Sequence, residues 1–159
     1  MTHQYGLFFS LELRSSSSLI WGKLDLLYLP EFRVIERYIA TSGTAGNQNL
    51  GSQAARGKGC IPRQDNVGIQ HYLVKTAPID LRSTKGVEGS FFPIIPFAVE
   101  FKSGIKRGDF GIHFDANVPG SAGCIVIKNK PAYADFEKRM AQLKSEEEEE
   151  IPLLIEYSF

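Results

Sequence analysis

The sequence predicts a mostly β domain with one α-helix in its second half and a final strand. Three observations lead there. Runs rich in aliphatic, β-branched and aromatic residues, such as Tyr5 to Leu13, Phe32 to Ala40 and Gly68 to Lys75, are separated by Gly, Pro and Ser clusters. One segment alone carries a clear helical stripe: Tyr133, Phe136, Met140 and Leu143 recur at +3, +4 and +3. The closing residues Ile151 to Phe159 (IPLLIEYSF) then read as a strand again. At 159 residues the chain is expected to form a single domain, 1–159, with one core.

Composition narrows the function classes. Hydrophobic residues make up 43% and charged residues 23%, as in an ordinary globular protein, and 18 basic residues balance 18 acidic ones. No basic patch or aromatic-interleaved basic motif points to nucleic acid. No apolar stretch approaches the roughly 20 residues of a membrane span, so stable membrane insertion is not expected. The start lacks a basic leader region, and Glu12 and Arg14 break its apolar run, so no amino-terminal signal peptide is expected. Cys60 and Cys124 are too few for a disulfide framework; a single Cys60–Cys124 bridge stays an open, minority reading, and Cys60 is read as structural.

Along the chain, Ser15 to Ser18 reads as a loop. Leu19 to Leu29 is read as two strands around a turn at Gly22-Lys23, closed by Pro30. Gly43 to Gly59 holds five glycines and almost no large apolar residue; a disordered insert and a substrate-binding lid are both open readings. Pro78 to Gly89 is expected to be a second loop. Two prolines in Phe91 to Phe97 predict an edge or loop that becomes a strand only at Phe97 to Phe101, followed by a charged turn, Lys102 to Asp109. Asn129 is a candidate cap and Pro131 an early position of a helix over about 130–145. Glu146 to Glu150 is a solvated charge run.

The chemistry concentrates in Gly111 to Ile127, GIHFDANVPGSAGCIVI. On a strand, His113 and Asp115 share one face while Ile112 and Phe114 take the other. The Val118 to Ser121 turn would fold the chain back as a hairpin and bring Cys124 towards His113. A thiol nucleophile needs such an arrangement: an imidazole to take its proton and a third group to orient the imidazole. Small residues precede Cys124, and Gly123 lets the backbone bend so that main-chain N–H groups there could form an oxyanion hole. Read from the residues alone, Cys124 could equally be plain core.

Ser121 to Ile127 (SAGCIVI) resembles the nucleophile motif of the L,D-transpeptidase catalytic-domain family, a Ser-x-Gly-Cys followed by apolar residues with a histidine upstream. Phe32 to Gly43 also resembles that family's early strand ending in Ser-Gly, and Lys58 to Pro62 its glycine-proline lead into a strand. The likeness runs from about Ile20 to the end and is specific in the central stretch. It implies an L,D-transpeptidase-like β-sandwich or β-rich domain. Carried over, Cys124 is the acylated nucleophile, His113 the general base, Gly123 and Cys124 the oxyanion amides, and Ser121 a residue that shapes the site. Ala122 stands where many members have a second histidine. The short His-to-Cys spacing is similar to a compact branch that includes type VI secretion effectors. Asp115 would stand for that branch's acidic residue, two positions after His113 rather than three.

The resemblance implies an L,D-carboxypeptidase or L,D-transpeptidase acting on peptidoglycan stem peptides in the periplasm or cell wall. With no signal peptide expected, a delivered toxin or a virion-associated lytic protein fits best. No cofactor is implied, and His3, His71 and His113 show none of the spacings of a zinc site. Arg56 and Lys58 are candidates to meet substrate carboxylates; His71 reads as a structural mid-strand residue. The alternative is a structural or assembly component of a phage tail or secretion device that keeps the fold with or without activity. A papain-like thiol peptidase fits poorly, since there the cysteine precedes the histidine and lies far from it.

Overall fold

A computed structural model describes residues 3–116 and 118–159. Met1, Thr2 and Asn117, which fall within the domain span and central stretch read above, lie outside the described residues. Eleven strands and one α-helix are formed: β1 (Tyr5–Glu12), β2 (Gly22–Tyr28), β3 (Arg33–Thr41), β4 (Tyr72–Lys75), β5 (Ile79–Leu81), β6 (Gly89–Ile95), β7 (Ala98–Glu100), β8 (Lys106–Gly108), β9 (Gly111–Phe114), β10 (Ile125–Ile127), α1 (Lys130–Ser145) and β11 (Glu150–Ser158).

Eight strands close into one mixed barrel, in the order β4-β11-β1-β2-β3-β10-β9-β6, with β6 returning to β4. The β-sandwich expected from the resemblance is therefore replaced by a single sheet curled on itself, which leaves no unpaired edge around the ring. The mostly β character, the helix and the final strand are as expected. β1–β11 and β9–β10 run parallel, and the other ring pairs antiparallel. Alternation along each strand sends Leu7, Phe9 and Leu11, Leu24 and Leu26, Tyr38 and Ala40, and Ile151, Leu153, Ile155 and Tyr157 into one continuous core.

The helix stripe enters that core. Phe136 meets Tyr38 and Phe92 edge-on, with ring centroids 5.4 and 5.2 Å away, and lies against Tyr133. Asn129 occupies the N-cap position, but its side chain makes no capping hydrogen bond. Pro131 sits in the first turn, where its missing N–H is not needed.

Several local expectations are corrected. Leu19 to Leu29 yields one strand, beginning at Gly22, because β2 pairs from Gly22 or Lys23 onwards with both β3 and β1, with a register shift at Leu26/Leu27 against β3. The strand read over Gly68 to Lys75 shortens to β4. Pro78 to Gly89 contains β5, and the charged turn Lys102 to Asp109 contains β8, which pairs with β7. Pro93 lies inside β6 rather than in a loop. On one edge of β6, β5 pairs with residues up to Phe91 and β4 with residues from Ile94; Pro93 falls in the gap, where a missing donor costs the ladder little.

The glycine-rich segment 43–59 is neither a free lid nor an insert without structure. The buried Gln48 side chain accepts from the Ile20 N–H and donates to Thr41 and the Ser42 carbonyl, and Gln53 accepts from the Arg63 N–H. A 3-10 turn, Leu50–Ala54, is capped by the Asn49 side chain accepting from the Ser52 N–H at 3.1 Å. Glutamine, which a hydropathy pattern reads as surface, here supplies the anchors.

Phe136→Ala would leave a void between three aromatic rings. We expect it to lower stability by about 3–5 kcal/mol, measured by chemical denaturation. A loss under about 1 kcal/mol would show that the stripe does not hold the helix in the barrel.

Candidate active site

β9 alternates between the two barrel faces: Ile112 points into the core, and Gly111 and His113 point out. β10 lies beside it with Ile125 opposite Ile112 and Val126 opposite His113. The pair is parallel, so the expected hairpin is not formed. The chain leaves β9 at Phe114 and starts β10 at Ile125 in the same direction. By this other route the two side chains still come to line one cavity. Partners in a parallel pair share a face, so Cys124, two residues before Val126, enters on the same side as His113 and one step diagonal to it.

His113 and Cys124 line one cavity of about 370 Å³, walled by Thr44, Gly57, the 85–87 segment and the 118–122 loop. His113 is buried, and Phe91 stacks on its ring at 5.9 Å and 24°. Its Nδ1 lies 2.8 Å from the Phe114 carbonyl. A carbonyl can only accept, so Nδ1 carries the proton and Nε2 is the basic nitrogen. The orienting third group is thus a main-chain carbonyl. Asp115, the expected acid, instead accepts from the Gly120 N–H at 3.1 Å and ties the return loop closed. Burial raises the Asp115 pKa, with the Gly120 N–H opposing.

Burial also sets the protonation of the pair. Desolvation lowers the His113 pKa from its ordinary value, only partly offset by the Phe114 carbonyl. Desolvation pushes the Cys124 thiol up to about 11, against a Gly111 N–H and the Arg107 charge that favour thiolate. These directions favour the uncharged form of each near neutral pH: a thiol sharing a cavity with a neutral imidazole. The Cys124 Sγ lies 3.8 Å from the Asp109 carbonyl, which accepts from it.

Ser121 shapes the turn. Its hydroxyl donates to the Cys124 carbonyl and lies 3.4 Å from the Gly43 and Gly123 N–H groups, which donate to it. Gly123 has φ of +127°, and a Cβ there would lie 2.6 Å from Arg107 Nη2 and 2.7 Å from the Phe110 ring. Only glycine fits. The Gly123 carbonyl accepts from Ser42 Oγ at 3.0 Å, and that same oxygen accepts from the Ile61 N–H. This holds the Ser-Gly end of β3 against the Cys124 loop. Gly111 is required by proximity instead, since a Cβ would lie 2.1 Å from the Phe91 ring.

Of the two expected carboxylate-binding residues, Arg56 lines a neighbouring cleft, while Lys58 presents its carbonyl to the Thr44 N–H and hydroxyl and its exposed side chain lines neither cavity. His71 is exposed on the approach to β4, its Nδ1 2.9 Å from the Tyr72 carbonyl. Cys60 and Cys124 are both free thiols, and Cys60 is fully buried with its pKa raised by desolvation. Among the described residues, no three His, Cys, Asp or Glu side chains gather as metal ligands, and no helix is long and apolar enough to cross a membrane.

Three residues escaped the sequence reading. Lys85 lines the cavity from a segment read as loop. Phe91 covers His113; adjacent aromatics at 91–92 were legible only as apolar. Arg107 matters most. It is buried, and its guanidinium donates to the carbonyls of Gln53, Gly59 and Ala122 at 2.8–3.0 Å and to that of Cys60. Its face lies over Phe110 at 5.4 Å. In a charged stretch such as KSGIKRGD, nothing distinguishes this cation from its solvated neighbours.

Compared with models of known families, with curated proteins and with solved structures, the chain matches none.

Two outcomes follow from this geometry. Alkylation of Cys124 by iodoacetamide should accelerate about tenfold per pH unit from pH 7 towards 11, read by intact mass beside Cys124→Ser. A rate already flat at pH 7 would mean a resting thiolate–imidazolium pair and refute the neutral assignment. Arg107→Met should cost roughly 3 kcal/mol or more, because several buried carbonyls lose their donor. It should also open segment 53–60 to limited proteolysis; wild-type resistance there would show that other contacts hold the loop.

Proposed function

We propose that this protein is a cysteine-dependent L,D-carboxypeptidase or L,D-transpeptidase of peptidoglycan stem peptides, working in the periplasm or cell wall, with Cys124 as nucleophile and His113 as general base. The observation that carries this reading is the shared cavity: an imidazole of fixed tautomer on β9 and a thiol just before the parallel strand β10, at the end of a Ser-x-Gly-Cys turn. The family likeness supplies the substrate class. An L,D-transpeptidase-like ancestry of the barrel belongs to the same proposal.

The chemistry follows from the protonation states. Cys124 Sγ attacks the carbonyl of the third stem residue, diaminopimelate, as His113 Nε2 takes the thiol proton. The tetrahedral oxyanion would be met by the main-chain N–H of Cys124, and by that of Gly123 only if it releases the long 3.4 Å contact to Ser121 Oγ. The C–N bond to D-alanine then breaks, and His113 returns the proton to the leaving amine. Water, or the side-chain amine of a second stem, attacks the thioester and gives up a proton to His113. The acyl group leaves on the new nucleophile and Cys124 regains its proton. Since the thiol starts neutral, proton transfer accompanies attack, and His113 must be neutral to act. Activity should therefore persist below the ordinary histidine range and fall as pH drops through the lowered His113 value.

A second reading is favoured by the raised thiol pKa: a structural or assembly component, of a phage tail or secretion apparatus for instance, whose cysteine is chemically quiet. One experiment separates them. Wild type, Cys124→Ala and His113→Ala are incubated with a disaccharide tetrapeptide or a carbapenem, then weighed intact while D-alanine is assayed. The catalytic reading expects a covalent adduct on wild type only and a loss of about 10²–10⁴ in rate for His113→Ala. No adduct and no D-alanine from folded, reduced wild type would leave the structural reading.

A further inference from the structure

A second concavity of about 400 Å³ adjoins the Cys124 cavity. Gly57 and Ala122 line both, so they form a low ridge between them. On the far side stand Arg56, Phe97, Lys106 and Asp109. Asp109 links the two sides directly, because its main-chain carbonyl is the group that Cys124 Sγ approaches. We propose that this cleft binds an amino-acid centre of the substrate, its carboxylate against Arg56 and Lys106 and its ammonium against Asp109, while the scissile carbonyl lies over Cys124. The inference rests on the peptidoglycan reading and deepens it: the side-chain end of diaminopimelate is such a centre, carrying both a carboxylate and an amine.

Charge and shape argue for it together. Some exposed charges elsewhere on the barrel are paired, Arg63 with Asp65 and Glu156, Arg82 with Asp80, Arg33 with Glu31, while others such as Lys102 and Lys138 carry no ion pair among the described residues. Arg56, Lys106 and Asp109 are also exposed, yet among the described residues no ion pair or hydrogen bond engages their side chains. Unpaired charges of both signs in a concave wall focus the field on a ligand that carries the opposite pattern. Phe97, 64% exposed, adds an apolar wall of the kind that an aliphatic side chain would cover.

The cleft is also held in place. Phe97 and Asp109 bracket the β7–β8 hairpin, and the Asp109 N–H donates to the Phe97 carbonyl at 2.9 Å. Arg107, between Lys106 and Gly108, binds the 53–60 segment that carries Arg56. Both walls are therefore fixed to one buried cation, so the main chain of the cleft needs little ordering on binding.

The test uses Cys124→Ala protein, so that ligand is not consumed. Calorimetric titration with the disaccharide tetrapeptide is compared with the same muropeptide amidated at the side-chain carboxylate of diaminopimelate. Amidation should weaken binding at least tenfold. Arg56→Gln with Lys106→Gln should weaken binding of the free acid by a similar factor and abolish the discrimination. Asp109→Asn, tolerated at its φ of +59°, should instead abolish the penalty for acetylating the amine. Equal affinity for acid and amide, unchanged preference in the double variant, or no binding of either muropeptide would overturn the proposal. Carbapenem acylation of wild-type Cys124 reports the catalytic reading separately. An adduct without carboxylate discrimination sinks the cleft alone; discrimination without an adduct sinks the chemistry and leaves the cleft.

Discussion

The site depends on a buried cation, Arg107, that forms no ion pair among the described residues. Arg107 is satisfied by main-chain carbonyls from two segments far apart in sequence, the 53–60 loop and the turn before Cys124. Desolvation lowers its pKa, and the carbonyl dipoles together with the Phe110 face keep the guanidinium bound. A carboxylate partner would have fixed one point. A planar fork of five donors fixes several at once. The glycine-rich segment is thereby changed from slack chain into a wall, and Gly123 must lack a side chain because the fork occupies that space.

The same packing decides the chemical character of the cysteine and histidine. Catalytic thiols are commonly activated as ion pairs, which demand solvent or opposed charges around both partners. Here burial beneath Phe91 disfavours charge on His113, and desolvation disfavours it on the half-buried Cys124. Such a pair is quiet at rest and becomes nucleophilic only when a substrate carbonyl is in reach and the proton moves during attack. Dryness that slows casual oxidation or alkylation also strengthens any oxyanion contact once substrate excludes the remaining water.

Much of this was legible in the sequence, and what was not has a common cause. Strand alternation, the Tyr133 to Leu143 stripe and the closing strand are local patterns, set by which residues must be buried within one element. Juxtaposing His113 and Cys124 needed only the knowledge that 111–127 doubles back. The sense of the pairing was not legible, because a parallel return and a hairpin bury the same alternate residues. Pro93 misled for a related reason: its effect depends on which neighbour each edge of the strand has at that position. Arg107, Gln48 and Gln53 were unreadable, since a polar side chain satisfied by distant main chain has the composition of a solvated one. Barrel closure is likewise a contact between β4 and β6 that no local pattern marks.

The place of β11 in the ring bears on how the protein is made. It lies between β1 and β4, parallel to the first strand and antiparallel to the other. As the chain emerges from the ribosome, β1 to β10 can pair with one another, but a slot one strand wide stays open until residues 150–158 are available. During that interval the flanking edges of β1 and β4 offer bare N–H and C=O rows, together with the apolar residues that β11 will cover. The nascent chain is thus most prone to stick to its neighbours while β11 is still missing, and residues 150–158 govern whether it assembles alone or in company.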